Sequence, residues 1–92
     1  MKTFGAYLRK AREDKELPLR KVAAVLDIDT SILSKIERNE RKATIEMIPL
    51  FSTVLGIQIK ELQIEFIKSV VISELGGLEF LKIGLKETLV EL

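Results

Sequence analysis

The 92-residue chain contains no histidine, no cysteine and no tryptophan. Without cysteine it can form no disulfide, no thiolate nucleophile and no zinc site of the common Cys/His type. Without histidine it lacks the usual general base and the commonest transition-metal ligand. We therefore expect neither an enzyme nor a cofactor, but a chain that acts by binding.

Long apolar runs are also missing. The longest unbroken one covers residues 22–26, far short of the roughly 20 residues that span a bilayer. Residues 1–4 lack the apolar core of a signal peptide. These features predict a cytoplasmic protein, and its length predicts a single globular unit with a small core.

Proline occurs twice and aromatic residues make up only 5% of the chain, whereas 47% of it is hydrophobic. Apolar residues recur at intervals of three and four rather than two, which predicts an all-α fold. Thr3 and Asp29 are candidate N-caps, and Gly56 and the Gly76-Gly77 pair are candidate helix ends. The predicted helices span about 4–15, 18–26, 30–38, 47–55, 59–75 and 78–92.

The window 19–38 has the pattern of a helix-turn-helix, whose second helix enters the DNA major groove. Two short apolar-faced helices are separated by the four residues 27–30. Small Ala23 suits the closest approach of the two helices, and Ile28 suits the interior of the turn. Other apolar residues would form the inward faces, namely Val22, Leu26, Leu33 and Ile36.

The outward face of the second helix carries polar side chains that can hydrogen-bond base edges. These predicted base-reading residues are Thr30, Ser31, Ser34 and Lys35. The polar loop that follows holds candidate phosphate contacts, to which we add a cation at the start of the first motif helix. The set is Arg20, Arg38, Asn39, Arg41 and Lys42. The competing interpretation is a solvated loop without a partner.

The stretch 4–62 resembles the five-helix DNA-binding domain of lambdoid repressors and Cro, the Cro/repressor-type (XRE) class of bacterial regulators. The resemblance is carried by several short motifs, namely Leu8-Arg9, Val22-Ala23, Ser34-Lys35-Ile36-Glu37-Arg38, Leu55-Gly56-Ile57 and Glu61-Leu62, with Gly5, Arg12, Leu26, Ile28, Arg41 and Leu50 between them. It implies an ion pair between Arg12 and Glu37 that ties the first helix to the recognition helix. It also implies a bacterial, nucleoid-associated protein.

Three positions depart from the family pattern. Leu19 stands where the family usually has a Gln that contacts DNA, and Pro18 replaces the usual Ser or Thr. Asp27 stands where Gly is usual in the turn, although Asp tolerates a left-handed backbone better than most residues. The fold is expected to survive these changes, while the edge of the DNA footprint differs.

Residues 63–92 form a C-terminal extension beyond the family domain. Its helices are apolar on two sides and must be covered on two sides. We expect a homodimer, with an interface drawn from Phe66, Ile67, Val71, Leu75, Leu78, Leu81, Leu85 and Leu89. The alternative is a hairpin that folds back and enlarges the core of its own chain.

The net charge of +1 is the sum of two unlike halves. Residues 1–42 hold 11 Lys and Arg against 7 Asp and Glu, and residues 43–92 hold 4 against 7. The excess of cations lies with the helix-turn-helix, which favours binding to double-stranded DNA. We expect a regulator of a near-palindromic operator with no evident small-molecule effector, either a restriction–modification controller or a small repressor. An antitoxin that represses its own operon is the alternative.

Overall fold

A computed structural model describes residues 3–92. The first two residues of the predicted 1–62 domain, Met1 and Lys2, lie outside this range. Within it the chain forms six helices and no strand, in agreement with the all-α prediction. They are α1 (Phe4–Asp14), α2 (Leu19–Leu26), α3 (Thr30–Glu37), α4 (Met47–Leu55), α5 (Ile59–Leu75) and α6 (Leu81–Glu91).

The helix ends follow local chemistry. The Thr3 hydroxyl accepts a hydrogen bond from the Ala6 N–H at 3.1 Å and caps α1. Pro49 lies in the first turn of α4, where its missing N–H has no intrahelical partner to lose. Asp29 occupies the N-cap position of α3, as predicted, although its side chain makes no capping hydrogen bond. The last helix starts at Leu81 rather than at residue 78, because the reversal after α5 continues beyond the two glycines.

The first three helices end in the same way without a glycine. Glu16, Asp27 and Asn39 each adopt a left-handed backbone, with φ of 54°, 55° and 60°. After α3, the Glu40 N–H bonds to the Lys35 carbonyl at 2.8 Å and the Asn39 N–H to the Ile36 carbonyl at 3.1 Å. This crossed pair satisfies the last carbonyls of the helix and turns the chain away sharply.

The core lies between α1, α2, α3, α4 and the first turns of α5. Its buried members are Phe4, Leu8, Val22, Ala23, Leu26, Leu33, Ile36, Ile48, Phe51, Leu55 and Leu62. The partners are α1 with α3 and α5, α2 with α3 and α4, and α4 with α5. No buried residue occurs beyond Leu62.

Helix α1 approaches the end of α3 closely at Gly5. Gly5 is buried there, and a Cβ atom on it would lie 2.3 Å from the carbonyl oxygen of Ile36. The Gly5 N–H also donates to the Asn39 side-chain oxygen at 3.3 Å. Residue 5 must therefore be glycine for α1 to hold the recognition helix at this distance.

Candidate nucleic-acid interface

The turn between α2 and α3 joins two helices that pack against each other. Asp27 takes the left-handed backbone that the family pattern assigns to glycine, with φ 55° and ψ 46°. Its N–H bonds to the Ala24 carbonyl and the next N–H, that of Ile28, to the Ala23 carbonyl. Ile28 is half-buried against the core, as the sequence predicted. The turn therefore keeps its geometry without glycine.

One face of α3 packs inward and the other is open. Leu33 and Ile36 are buried in the core. Thr30, Ser31 and Lys35 are exposed, and Ser34 is half-buried. The four predicted base-reading residues therefore share one accessible side of this helix, where a base edge could reach them.

An ion pair fixes the orientation of α3. Arg12 on α1 grips the Glu37 carboxylate with two hydrogen bonds, Nε to Oε2 at 2.8 Å and Nη2 to Oε1 at 3.1 Å. Arg12 Nη1 donates in addition to the Leu17 carbonyl at 2.8 Å. The side chains are 13% and 5% exposed, so the pair is largely withdrawn from water.

Both partners of this buried pair are well satisfied. The hydrogen bond and charge of Glu37 raise the pKa of Arg12 above its ordinary value, so the guanidinium stays charged. Within residues 3–92 no buried side-chain polar atom lacks a partner. The pair therefore acts as a fixed brace between α1 and the recognition helix.

The loop after α3 contains cations that the chain itself already engages. Arg38 donates from Nε and Nη2 to the Glu40 carboxylate, at 2.7 Å and 3.2 Å, and from Nη1 to the Ser34 hydroxyl oxygen at 2.6 Å. These contacts raise the pKa of Arg38 and lower the pKa of Glu40. Lys42 pairs with Glu74, near the end of α5.

The remaining predicted phosphate contacts differ in how far other residues of the chain already engage their polar groups. Asn39 uses its side-chain oxygen to hold the N-terminal turn of α1, which leaves its amide NH₂ group for a further partner. Arg20 and Arg41 are exposed, and neither forms an ion pair with another residue of the described chain. The same holds for Lys35 on α3. Among the cations predicted to contact DNA, these three are the ones that no carboxylate of the described chain engages.

Sequence reasoning missed the roles of Glu40 and Glu74. Glu40 lies two residues after Arg38, a spacing that does not bring side chains together on a helix. The two meet because Asn39 turns the backbone between them. Glu74 reaches Lys42 across the fold, so no local pattern could reveal that pair.

The predicted interface residues fall into two groups. Phe66 is half-buried and packs edge-on against Phe4, with ring centroids 5.4 Å apart, so it belongs to its own domain rather than to an open face. Val71 and Leu81 are half-buried. The other members are exposed, namely Ile67, Leu75, Leu78, Leu85 and Leu89. Helix α6 has no buried residue.

The comparisons agree with this geometry. A helix-turn-helix family model matches residues 8–62, more than half of the chain. The chain therefore belongs to the helix-turn-helix family of Cro/repressor-type (XRE) regulators, and it is a DNA-binding transcription regulator. Comparisons with curated proteins and with solved structures gave no match. In the described part of the chain, no helix is both long and apolar enough to cross a membrane.

Proposed function

We propose that the chain binds a near-palindromic operator as a homodimer, with α3 of each protomer in the major groove. Thr30, Ser31, Ser34 and Lys35 then face the base edges, and Arg20 and Arg41 contact phosphates on either side. The Asn39 amide and the backbone N–H groups at the start of α2 can supply neutral phosphate contacts. Leu19 cannot replace the family glutamine there.

The observation that carries the homodimer is the uncovered apolar surface of the outer half of α5 and of α6. Ile67 is 58% exposed, Leu78 61%, Ile83 56% and Leu89 71%. Small soluble monomers rarely leave a contiguous apolar surface of this kind open to water. A second copy of the same surface covers it in a two-fold arrangement.

The same symmetry suits the DNA. Two recognition helices related by a two-fold axis read two half-sites when they lie about 34 Å apart, one turn of the double helix. The excess of cations lies in residues 1–42 and the excess of carboxylates in residues 43–92. The acidic, apolar part is therefore suited to self-association away from the phosphates.

The biological role that we propose is control of a restriction–modification operon or of a small repressor circuit. The antitoxin alternative rests on the same uncovered surface, which a toxin would cover instead of a second copy. The two differ in solution, because a homodimer forms without any partner protein.

Selection of bound sequences from a random DNA pool, together with sedimentation of the free protein, tests the proposal. We expect a dimer at tens of micromolar and an enriched sequence with two inverted half-sites. Replacing Ile67 and Leu89 by Glu should give a folded monomer that selects single half-sites, while Lys82→Glu on α6 is the matched control. A monomeric wild-type chain would refute the homodimer and favour the antitoxin.

A further inference from the structure

Arg38 is held in a fixed place beside the base-reading face. Its Nε and Nη2 point to Glu40, and its Nη1 reaches the Ser34 hydroxyl oxygen at 2.6 Å, one helical turn earlier. A guanidinium has no acceptor atom, so in the last contact Arg38 must be the donor and Ser34 the acceptor. The Ser34 oxygen therefore accepts a hydrogen bond from Arg38, and the Ser34 hydroxyl hydrogen remains available to donate.

The hydroxyl hydrogen of Ser34 has no acceptor among residues 3–92. Thr53 and Thr88 behave differently, because each donates to the carbonyl four residues earlier in its helix, at 3.1 Å and 2.8 Å. A serine or threonine within a helix commonly makes that bond. Ser34 makes none of this type, so its hydrogen can be directed to a ligand on the open side of α3.

We propose that Arg38 is a positioning residue that makes Ser34 a hydrogen-bond donor, and that Ser34 thereby reads the keto oxygen of guanine or thymine. This inference rests on the proposed function. At the groove position of guanine O6 or thymine O4, these keto oxygens accept hydrogen bonds, whereas the N6 and N4 amino groups of adenine and cytosine donate them. N7 of either purine also accepts, so cytosine is the one base that presents no acceptor there. An unassisted serine serves either kind of base, because a hydroxyl both donates and accepts.

The positive charge of the guanidinium also favours keto oxygens over amino groups at Ser34. The lone pair of Ser34 that Arg38 does not use lies beside a cation, which disfavours the approach of a base amino group with its partial positive charge. Glu40 engages Nε and Nη2 and leaves Nη1 beside Ser34, so Arg38 is not left to contact a phosphate. The role differs from the phosphate contact that the sequence predicted for Arg38.

The test is selection from a random DNA pool with the full chain and with three variants, Arg38→Met, Ser34→Ala and the double variant. The wild type should prefer guanine or thymine at one position per half-site, by about tenfold over cytosine and by a smaller factor over adenine, whose N7 still accepts. Arg38→Met should relax that position toward all four bases, because the serine oxygen becomes free to accept. Ser34→Ala should lose the preference, and the double variant should resemble Ser34→Ala.

The salt dependence of binding separates this role from a phosphate contact. Arg41→Met is the matched control. In the proposed dimer it removes two phosphate contacts, so it should reduce the slope of log affinity against log salt by about two units. Arg38→Met should leave the slope unchanged. Residue 38 is exposed and residue 34 half-buried, so neither substitution should disturb the core. Unfolding midpoints equal to that of the wild type, measured by circular dichroism, would show that the variants fold.

Three results would overturn the inference. One is an Arg38→Met protein that keeps the keto preference and loses about two units of salt slope, since Arg38 would then be a phosphate contact. Another is an unchanged base profile in Ser34→Ala. The third is a wild type that binds DNA without a keto preference. A chain that enriches no sequence at all overturns the proposed function as well.

Discussion

Residues 4–62 and residues 63–92 contain similar apolar side chains, but the first region buries them and the second leaves them exposed to solvent. In the first region Leu8, Leu33 and Leu62 are at most 1% exposed. In the second Leu78 is 61% exposed and Leu89 71% exposed. Composition alone does not separate the two regions. What separates them is that α1 to α4 enclose a common centre, whereas the outer half of α5 and α6 face outward.

Helix α5 belongs to both regions. Its first turns pack Leu62 into the core and set Phe66 against Phe4, while Ile67 and Ile72 further along are exposed. A single helix is therefore a core element at one end and an open surface at the other. Burial here depends on which neighbours a residue meets rather than on how apolar it is.

The sharpest way to test the comparison is the same substitution in both regions. Leu33→Ala should lower the free energy of unfolding by about 3–5 kcal/mol, because it leaves a cavity in the core. Leu89→Ala should change it by less than about 0.5 kcal/mol in dilute protein, where α6 is solvated. Urea unfolding of both variants measures the difference. Equal losses at low concentration would mean that α6 is packed within its own chain.

The second test removes the Arg12–Glu37 ion pair between α1 and α3. Glu37→Ala should cost about 3 kcal/mol, since it leaves the largely buried Arg12 guanidinium without its carboxylate. The combined change Arg12→Met and Glu37→Leu should recover much of that loss, because neither charge is then buried unpaired. Thermal unfolding gives both values. A Glu37→Ala protein as stable as the wild type would show that the pair does not brace α3.

The third test concerns the close approach of α1 to α3. Gly5→Ala should destabilise the protein by about 2 kcal/mol, because the added methyl group meets a backbone oxygen that cannot rotate away. Gly84→Ala in α6 is the matched control, since nothing lies within 4 Å of a Cβ there. It should be neutral or slightly stabilising. Similar effects at both glycines would contradict the packing described here.

The smallest effect on stability at neutral pH is expected from Tyr7, which lies where α1 meets the first turns of α5. Burial and the Glu61 carboxylate raise the pKa of Tyr7 to about 12. Because the folded value lies above the ordinary value of about 10, the stability linked to neutral Tyr7 is complete below pH 10. It is then lost as the pH rises through 12.

The absorbance of tyrosinate measures this titration directly, because Tyr7 is the single tyrosine and the chain has no tryptophan. Glu61→Gln should lower the midpoint, whereas Glu91→Gln at the end of α6 should not. A midpoint near 10 in the folded wild type would show that Tyr7 does not pack beside α5.

The sequence predicted most of the fold because the relevant signals are local. The apolar spacing of residues 59–75, the proline in α4 and the glycine after it all act within a few residues of where they stand. The Arg12–Glu37 pair was implied by the family resemblance and is present in the structure. Asp27 was expected to tolerate the turn, and it adopts the left-handed conformation.

The sequence could not predict contacts between residues that only the tertiary fold brings together. Nothing in the order of residues shows that Glu74 meets Lys42, or that the bend at Asn39 brings Glu40 back to Arg38. Phe66 was expected at a partner surface, and the structure sets its ring edge-on against Phe4 within the chain. A helical pattern tells which residues share a face, and only the fold tells what covers that face.

The continuity of α5 has a consequence for the geometry of the proposed dimer on DNA. The helix joins the anchored Leu62 to the exposed Ile67 without a break, so the two positions are locked in both rotation and distance. One residue inserted between them would turn the outer face by about 100° and advance it by about 1.5 Å. In the proposed dimer, the number of residues in this stretch would thus set the phase between the two recognition helices. A lineage could therefore change the spacing of its operator half-sites by gaining or losing one residue in α5, without altering any side chain that touches DNA.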